Sequence, residues 1–221
     1  MASSDKIQVE IWSDVQCPFC YIGKRQFETA LADFDDKDRV EVTWRSFQLD
    51  PSLKAQAGET IYAYLARRKG LTVDQSKQMH ERVAQSAASV GLDYQFDKMI
   101  VANSHASHRL IQAAKAQGKG DAAEEALFHA YFTEGKDLGD HAVLAALGAS
   151  IGLSQEQTLD ALQDTQGTWG KKVDAEAAEA SELGANGVPF FVFDSQFAVS
   201  GAQGSNTFKK VLEKAAQGVT A

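Results

Sequence analysis

Residues 7–12, IQVEIW, alternate apolar and polar positions and are rich in Ile and Val, which predicts a strand. Pro18 follows; its fixed φ and missing N–H suit the first turn of a helix. The segment CYIGKRQFETALADF places Tyr21, Phe27, Leu31 and Phe34 at a loosely helical spacing. RVEVTWRSF, residues 39–47, alternates again, with Val40, Val42, Trp44 and Ser46 expected on one face. Strand, helix, strand is the order of a βαβ unit.

The character then changes. From about 59 to about 164 the pattern carries helix signals only, with no Pro inside. Thr72 with Gln75, and Ser154 with Gln157, have the spacing of capping boxes. The Ala- and Leu-rich runs stop at Gly, and Leu127, Phe128, Tyr131 and Phe132 are the expected core. A further helix is expected over 171–183, ending before Gly184 and Gly187. Phe190–Phe193 and Phe197–Ser200 flank Asp-Ser-Gln, a β-hairpin pattern. SNTFKKVLEKAAQ closes the chain as an amphipathic helix with Phe208, Val211, Leu212 and Ala215 on one face. The tail GVTA is expected to fray. The expected fold class is α/β with a large all-helical insertion. Residues 1–58 and 165–221 would form one discontinuous domain, and 59–164 the inserted one.

Of the 221 residues, 44% are hydrophobic and 9% aromatic, enough for a sizeable core. Lys and Arg number 22 against 30 Asp and Glu, a net charge of −8, so neither nucleic acid nor an anionic membrane is an expected main partner. MASSDKIQVEIW lacks a basic stretch followed by an apolar one, and no apolar run approaches the length of a bilayer span. The expectation is a cytoplasmic protein, where a structural disulfide is disfavoured.

That expectation sharpens the meaning of Cys17 and Cys20, the two cysteines of the chain. They stand two residues apart where a strand gives way to a helix. A helix start presents unpaired N–H groups and a positive dipole end, both of which favour a thiolate at Cys17. A thiolate attacks disulfides, and Cys20, one turn on, can close a ring that expels a bound partner. Two buried cysteines without chemistry are the plain alternative. Zinc is another, but it needs four ligands. Only His105 and His108, three apart, offer help, and Pro18 opening a helix suits exchange better, so no metal is expected. Val188-Pro189 stands directly before FFVF, where a proline that cannot donate belongs at a strand start or edge.

CPFC after a first strand, a helical insertion, then GVPFFVFD and a closing helix resemble the thioredoxin superfamily, and within it the DsbA-like branch. SDVQCPFCYIGK, SHRLIQAA, GVPFFVFD and AVSGAQ are similar to FrnE-type members, relatives of 2-hydroxychromene-2-carboxylate isomerase and kappa-class glutathione transferase. The resemblance implies a thioredoxin fold with its helices inserted. It implies that Cys17 attacks and Cys20 resolves. It also implies that Pro189 is a cis-proline facing the pair, and that the Val188 backbone pairs with an extended substrate segment. Pro18 and Phe19 modulate the pair. Phe19 offers the Cys17 sulfur no charged or polar neighbour, which implies a less oxidising couple than a Pro-His dipeptide would give. His108 matches a motif position of the family but is expected to be structural. His80, His129 and His141 carry no signal, and Trp12 is expected in the core near the pair.

The implied function is a thiol–disulfide oxidoreductase, reductase or isomerase, acting on protein or small-molecule disulfides. No tightly bound cofactor is expected; a low-molecular-weight thiol is the expected co-substrate and reductant. A glutathione-dependent isomerase or transferase on the same fold is the alternative, but a one-thiol mechanism has no use for Cys20. A non-enzymatic redox sensor is a third reading, and no recruiting tail or basic patch supports it.

Overall fold

The computed structural model describes residues 6–218. Residues 1–5 and 219–221 lie outside it, and so does most of the tail expected to fray. The strands are β1 (Ile7–Ser13), β2 (Val40–Ser46), β3 (Phe190–Phe193) and β4 (Phe197–Ser200). They form one sheet in the order β2-β1-β3-β4. β1 runs parallel to β2 and antiparallel to β3, and β3 turns back on β4. Asp194 and Ser195 make the hairpin turn with positive φ of 48° and 55°. The Asp194 carboxylate accepts from the Gln8 N–H at 2.7 Å, tying the turn to β1.

Helix α1 (Pro18–Ala32) makes the crossover between β1 and β2, and α9 (Ser205–Gly218) packs beside it on the same face of the sheet. Phe27, Phe191 and Phe208 meet there, with Phe191 and Phe208 centroids 4.5 Å apart. α8 (Thr168–Glu182) covers the other face, where Trp12, Phe190, Val192 and Ala180 pack. All four residues of β3 are buried because both faces are covered, and such a strand reads as a continuous apolar run, FFVF. Trp12 is wholly buried, and its indole N–H donates to the Glu176 carbonyl at 2.8 Å.

Between β2 and α8 lie six helices: α2 (Ile61–Lys69), α3 (Val73–Ala88), α4 (His105–Lys115), α5 (Gly120–Phe128), α6 (His141–Ser150) and α7 (Gln155–Gln163). Both expected capping boxes are present, at Thr72–Gln75 and Ser154–Gln157. Thr72→Ala should therefore cost about 1 kcal/mol of stability, read as a lower urea midpoint with an unchanged m-value. Leu127, Phe128, Tyr131 and Phe132 are core, as expected. They join Cys20, Tyr21 and Ile22 of α1 in one cluster, with Tyr21 stacked on Phe128 at 4.9 Å.

Three local readings differ. The region 59–164 is not helix alone: Thr60 and Ile100 form an isolated antiparallel bridge. The AAEEALFHAYFTEG segment does not continue as one α-helix but widens into a π-helical turn at His129–Thr133. α8 starts at Thr168 rather than 171, because the Asp164 carboxylate accepts from the N–H groups of Trp169 at 3.0 Å and Gly170 at 2.8 Å. Val40, Val42, Trp44 and Ser46 share one face as expected, although Val42 is 37% exposed while Trp44 and Ser46 are buried, because β2 is an edge strand covered over its later half only. Among the described residues, no helix is long and apolar enough to cross a membrane.

Candidate active site

β1 delivers the chain into a tight turn. The Cys17 N–H donates to the Asp14 carbonyl at 2.9 Å, and the Cys20 N–H to the Cys17 carbonyl at 3.0 Å. Cys17 is the N-cap of α1 with extended backbone (φ −86°, ψ 112°), and Pro18 opens the helix where its missing N–H leaves no unmet donor. The helix start has neither a side-chain cap nor an acidic residue in its first turn, so its positive end stands uncompensated beside the Cys17 sulfur. Both cysteines are free thiols and both are buried. The Cys17 thiol donates to the Val188 carbonyl at 3.3 Å. Burial pushes the Cys20 thiol well above its ordinary value. The hydrogen bond and charge of the adjoining Cys17 add to this, and the Asp14 backbone and Ser13 hydroxyl partly offset it.

The Val188-Pro189 bond is cis. Pro189 reaches α1 because Gly23 has no side chain: a Cβ there would stand 3.1 Å from Pro189 Cγ and 3.4 Å from Phe191 Cζ. Gly23→Ala should leave the melting temperature nearly unchanged, since a gain in helix propensity of about 1 kcal/mol offsets the crowding. Disulfide turnover should fall, because the displaced ring lies against the helix that carries both thiols. A melting curve beside a turnover assay checks the split; unchanged turnover would show that the ring's placement is immaterial.

Phe19 is 45% exposed and turns away from the core. The Tyr94 hydroxyl donates to the Pro18 carbonyl at 2.7 Å, so the insertion also holds the first turn of α1. Asp14 is buried and accepts from the N–H groups of Gln16 at 3.1 Å and Leu49 at 2.7 Å. His108 lies behind it, fully buried, with Nε2 3.4 Å from Asp14 Oδ1. That is ion-pair reach but not hydrogen-bond geometry, and neither ring nitrogen has a hydrogen-bond partner. His105 is half-buried beside Gly170, and no group of three or more His, Cys, Asp or Glu among the described residues is placed to hold a metal.

The sequence pattern missed Ser13, Asp14, Gly23, Tyr94 and Glu124. Glu124 of α5 is fully buried with Oε2 accepting from the Ser13 hydroxyl at 3.4 Å and Oε1 unpartnered. Burial, and the nearby Asp14, push its carboxyl up to about 8. Ser13 and Asp14 sit immediately before the thiol turn, which was a usable hint; Glu124 had none.

Residues 8–213 match the family model of the DSBA-like thioredoxin domain. The chain belongs to that family. YwbO of Bacillus subtilis, an uncharacterised protein, is 28% identical over 217 residues, covering 93% of this chain and 96% of YwbO. The probable DsbA oxidoreductase SCO1869 from Streptomyces coelicolor superposes with a TM-score of 0.87 at 35% identity, over 95% of this chain and 89% of that one. The cytosolic disulfide reductase DsbM from Pseudomonas aeruginosa, solved with GSH, shares the fold at a TM-score of 0.66 and 17% identity, over 95% and 99% of the two chains. The DsbA-like fold accounts for the sheet order and for helices α2–α7 inserted after β2.

Proposed function

We propose that this DsbA-like protein is a thiol–disulfide oxidoreductase of FrnE type, working as a reductase or isomerase through Cys17-Pro18-Phe19-Cys20. The observation that carries the reading is the pairing of a Cys17 thiol at an uncapped helix start with a Cys20 thiol that burial keeps protonated. Cys17 attacks a substrate sulfur and one thiolate leaves. Cys20 then attacks the Cys17 sulfur, the second thiolate leaves, and a Cys17–Cys20 disulfide remains for a thiol to reduce. Val188 and Pro189 form the substrate-binding wall; Val188 already meets Cys17 through its carbonyl. An extended substrate segment would add to this backbone as a strand. Pro18 starts the helix, and Phe19, apolar and outward, leaves the couple less oxidising than a polar neighbour would.

In this reading no cofactor is tightly bound, and a low-molecular-weight thiol is the co-substrate. DsbM, a cytosolic reductase solved with GSH, supports such a co-substrate and a cytoplasmic setting. Residues 1–58 and 165–221 carry the chemistry, and 59–164 supply the opposite wall. Substrates are disulfides of proteins or small molecules. An acidic surface favours neither nucleic acid nor an anionic membrane as partner. Insulin reduction measured beside glutathione conjugation tests the reading: turnover of insulin without conjugation is expected, and conjugation without reduction overturns it.

A further inference from the structure

The thiol turn is one wall of a cavity of about 370 Å³ that extends to the α2–α3 pair. Cys17 and Val188 line it on one side, and Ile61, Leu65, Met79 and Val83 on the other. Phe19 and Leu49, 45% and 38% exposed, stand at its rim. Apolar walls with a few fixed polar groups are the usual make-up of a small-molecule site, and this volume lies near the small end of the range of about 300–1,000 Å³.

One polar group in the wall is His80, 7% exposed and wedged edge-on between Tyr62 at 5.0 Å and Phe96 at 4.5 Å. Its Nδ1 is 2.8 Å from the Ser76 carbonyl. A carbonyl only accepts, so Nδ1 carries the proton and Nε2 keeps a lone pair. Burial lowers the basicity of the ring, which favours that neutral form. Nε2 has no hydrogen-bond partner among the described residues, yet it is not among the side-chain atoms sealed from solvent. Of the other polar groups here, Arg68 engages Asp50, Tyr64 and the Leu49 carbonyl, and Tyr64 engages Asp50; Lys69 is an exposed cation that can only donate, and the Tyr131 hydroxyl across the cavity has no hydrogen-bond partner among the described residues. An acceptor is thus left open, in a fixed orientation, in the same apolar cavity as the nucleophile.

We propose that this cavity recognises an apolar, ring-sized arm attached to the reacting sulfur of the substrate, and that His80 Nε2 accepts a hydrogen bond from a donor on that arm. The inference rests on thiol–disulfide exchange at Cys17. In the step it describes, the Cys17 thiolate attacks R–S–S–R′, the bond to R–S forms, the S–S bond breaks and R′–S⁻ leaves. R lies in the cavity while the mixed disulfide stands. Cys20 displaces R–S⁻ to leave the Cys17–Cys20 disulfide, and two equivalents of a low-molecular-weight thiol reduce it. The arm is that of a small disulfide or an aromatic side chain beside a peptide cysteine.

Three disulfides of equal alkyl-thiol reactivity separate the contributions: bis(2-hydroxyethyl) disulfide, bis(2-phenylethyl) disulfide and bis[2-(4-hydroxyphenyl)ethyl] disulfide. With the full chain and excess thiol, kcat/KM should rise about tenfold or more from the first to the second, because a ring leaves water. It should rise about fivefold again to the third, for one hydrogen bond. His80→Leu should erase the second increment and keep the first; Val83→Trp, which fills the cavity, should collapse both. A Tyr-Cys peptide disulfide turned over faster than the phenol disulfide assigns the arm to a polypeptide, and slower turnover assigns it to a small molecule. Equal kcat/KM for all three in the unmodified protein overturns the cavity's role, and a phenol increment that survives His80→Leu overturns that of His80. Turnover of none of them overturns instead the exchange reading beneath it.

Discussion

Cys17→Ser is expected to reduce disulfide exchange to background, while Cys20→Ser halts it halfway. Serine keeps the shape of the N-cap but offers no thiolate, so no substrate sulfur is attacked. Cys20 is wholly buried and held protonated, so it does not meet substrate first. Its work begins once Cys17 has become half of a mixed disulfide and no longer opposes its ionisation. Without Cys20 that adduct has no internal exit and should accumulate. A non-reducing gel and intact mass after one equivalent of substrate should show the adduct in Cys20→Ser and none in Cys17→Ser. Equal loss in both variants with no adduct in either would sink the assignment of roles.

Glu124→Gln is expected to stabilise the protein by an amount that grows with pH. The acid's ordinary value of 4.5 is that of the unfolded chain, and in the folded protein burial and Asp14 raise it to about 8. Below about pH 4.5 it is neutral in both states and folding takes up no proton. Between there and about 8 the folded state must hold a proton that the unfolded chain releases, so stability falls as pH rises. Each unit costs about 1.4 kcal/mol, so the loss reaches a few kcal/mol by pH 8. Glutamine keeps the shape and removes the titration. Urea unfolding at pH 5, 6.5 and 8 should show the variant pulling ahead of the unmodified protein step by step; parallel profiles would mean that Glu124 does not titrate across this window.

The features legible in the sequence were those whose partners lie within a turn of one another. Thr72 with Gln75 and Ser154 with Gln157 each satisfy a helix end locally, so spacing alone revealed them. Cys17, Pro18 and Cys20 likewise announce a helix start, and FFVF and FAVS around Asp-Ser-Gln a hairpin. What stayed hidden depends on pieces remote in the chain. Nothing near Gly23 says that Pro189 will lie against it. His80 is one histidine among five until Ser76, Tyr62 and Phe96 fix its tautomer and its seat. Glu124 looks like any helical surface acid, and its burial beside Ser13 and Asp14, at and just past the end of β1, depends on residues far away in the chain. Val42 followed the alternation correctly, but alternation does not say which stretch of an edge strand will find a cover.

The sheet order has a bearing on how the chain is born. β1 is followed by its parallel partner β2 after a single helix, but its other neighbour, β3, comes only after the inserted helices and α8. Val188 arrives with β3, so the carbonyl that meets the Cys17 thiol is made long after the thiol itself. A chain growing from its N-terminus therefore carries its dithiol without the Val188 side of the groove until β3 has been made. The nascent polypeptide, rather than the finished protein, is the form most open to oxidation and to stray pairing with other thiols. The arrival of β3 then sets the Val188 carbonyl against the Cys17 thiol and completes the groove.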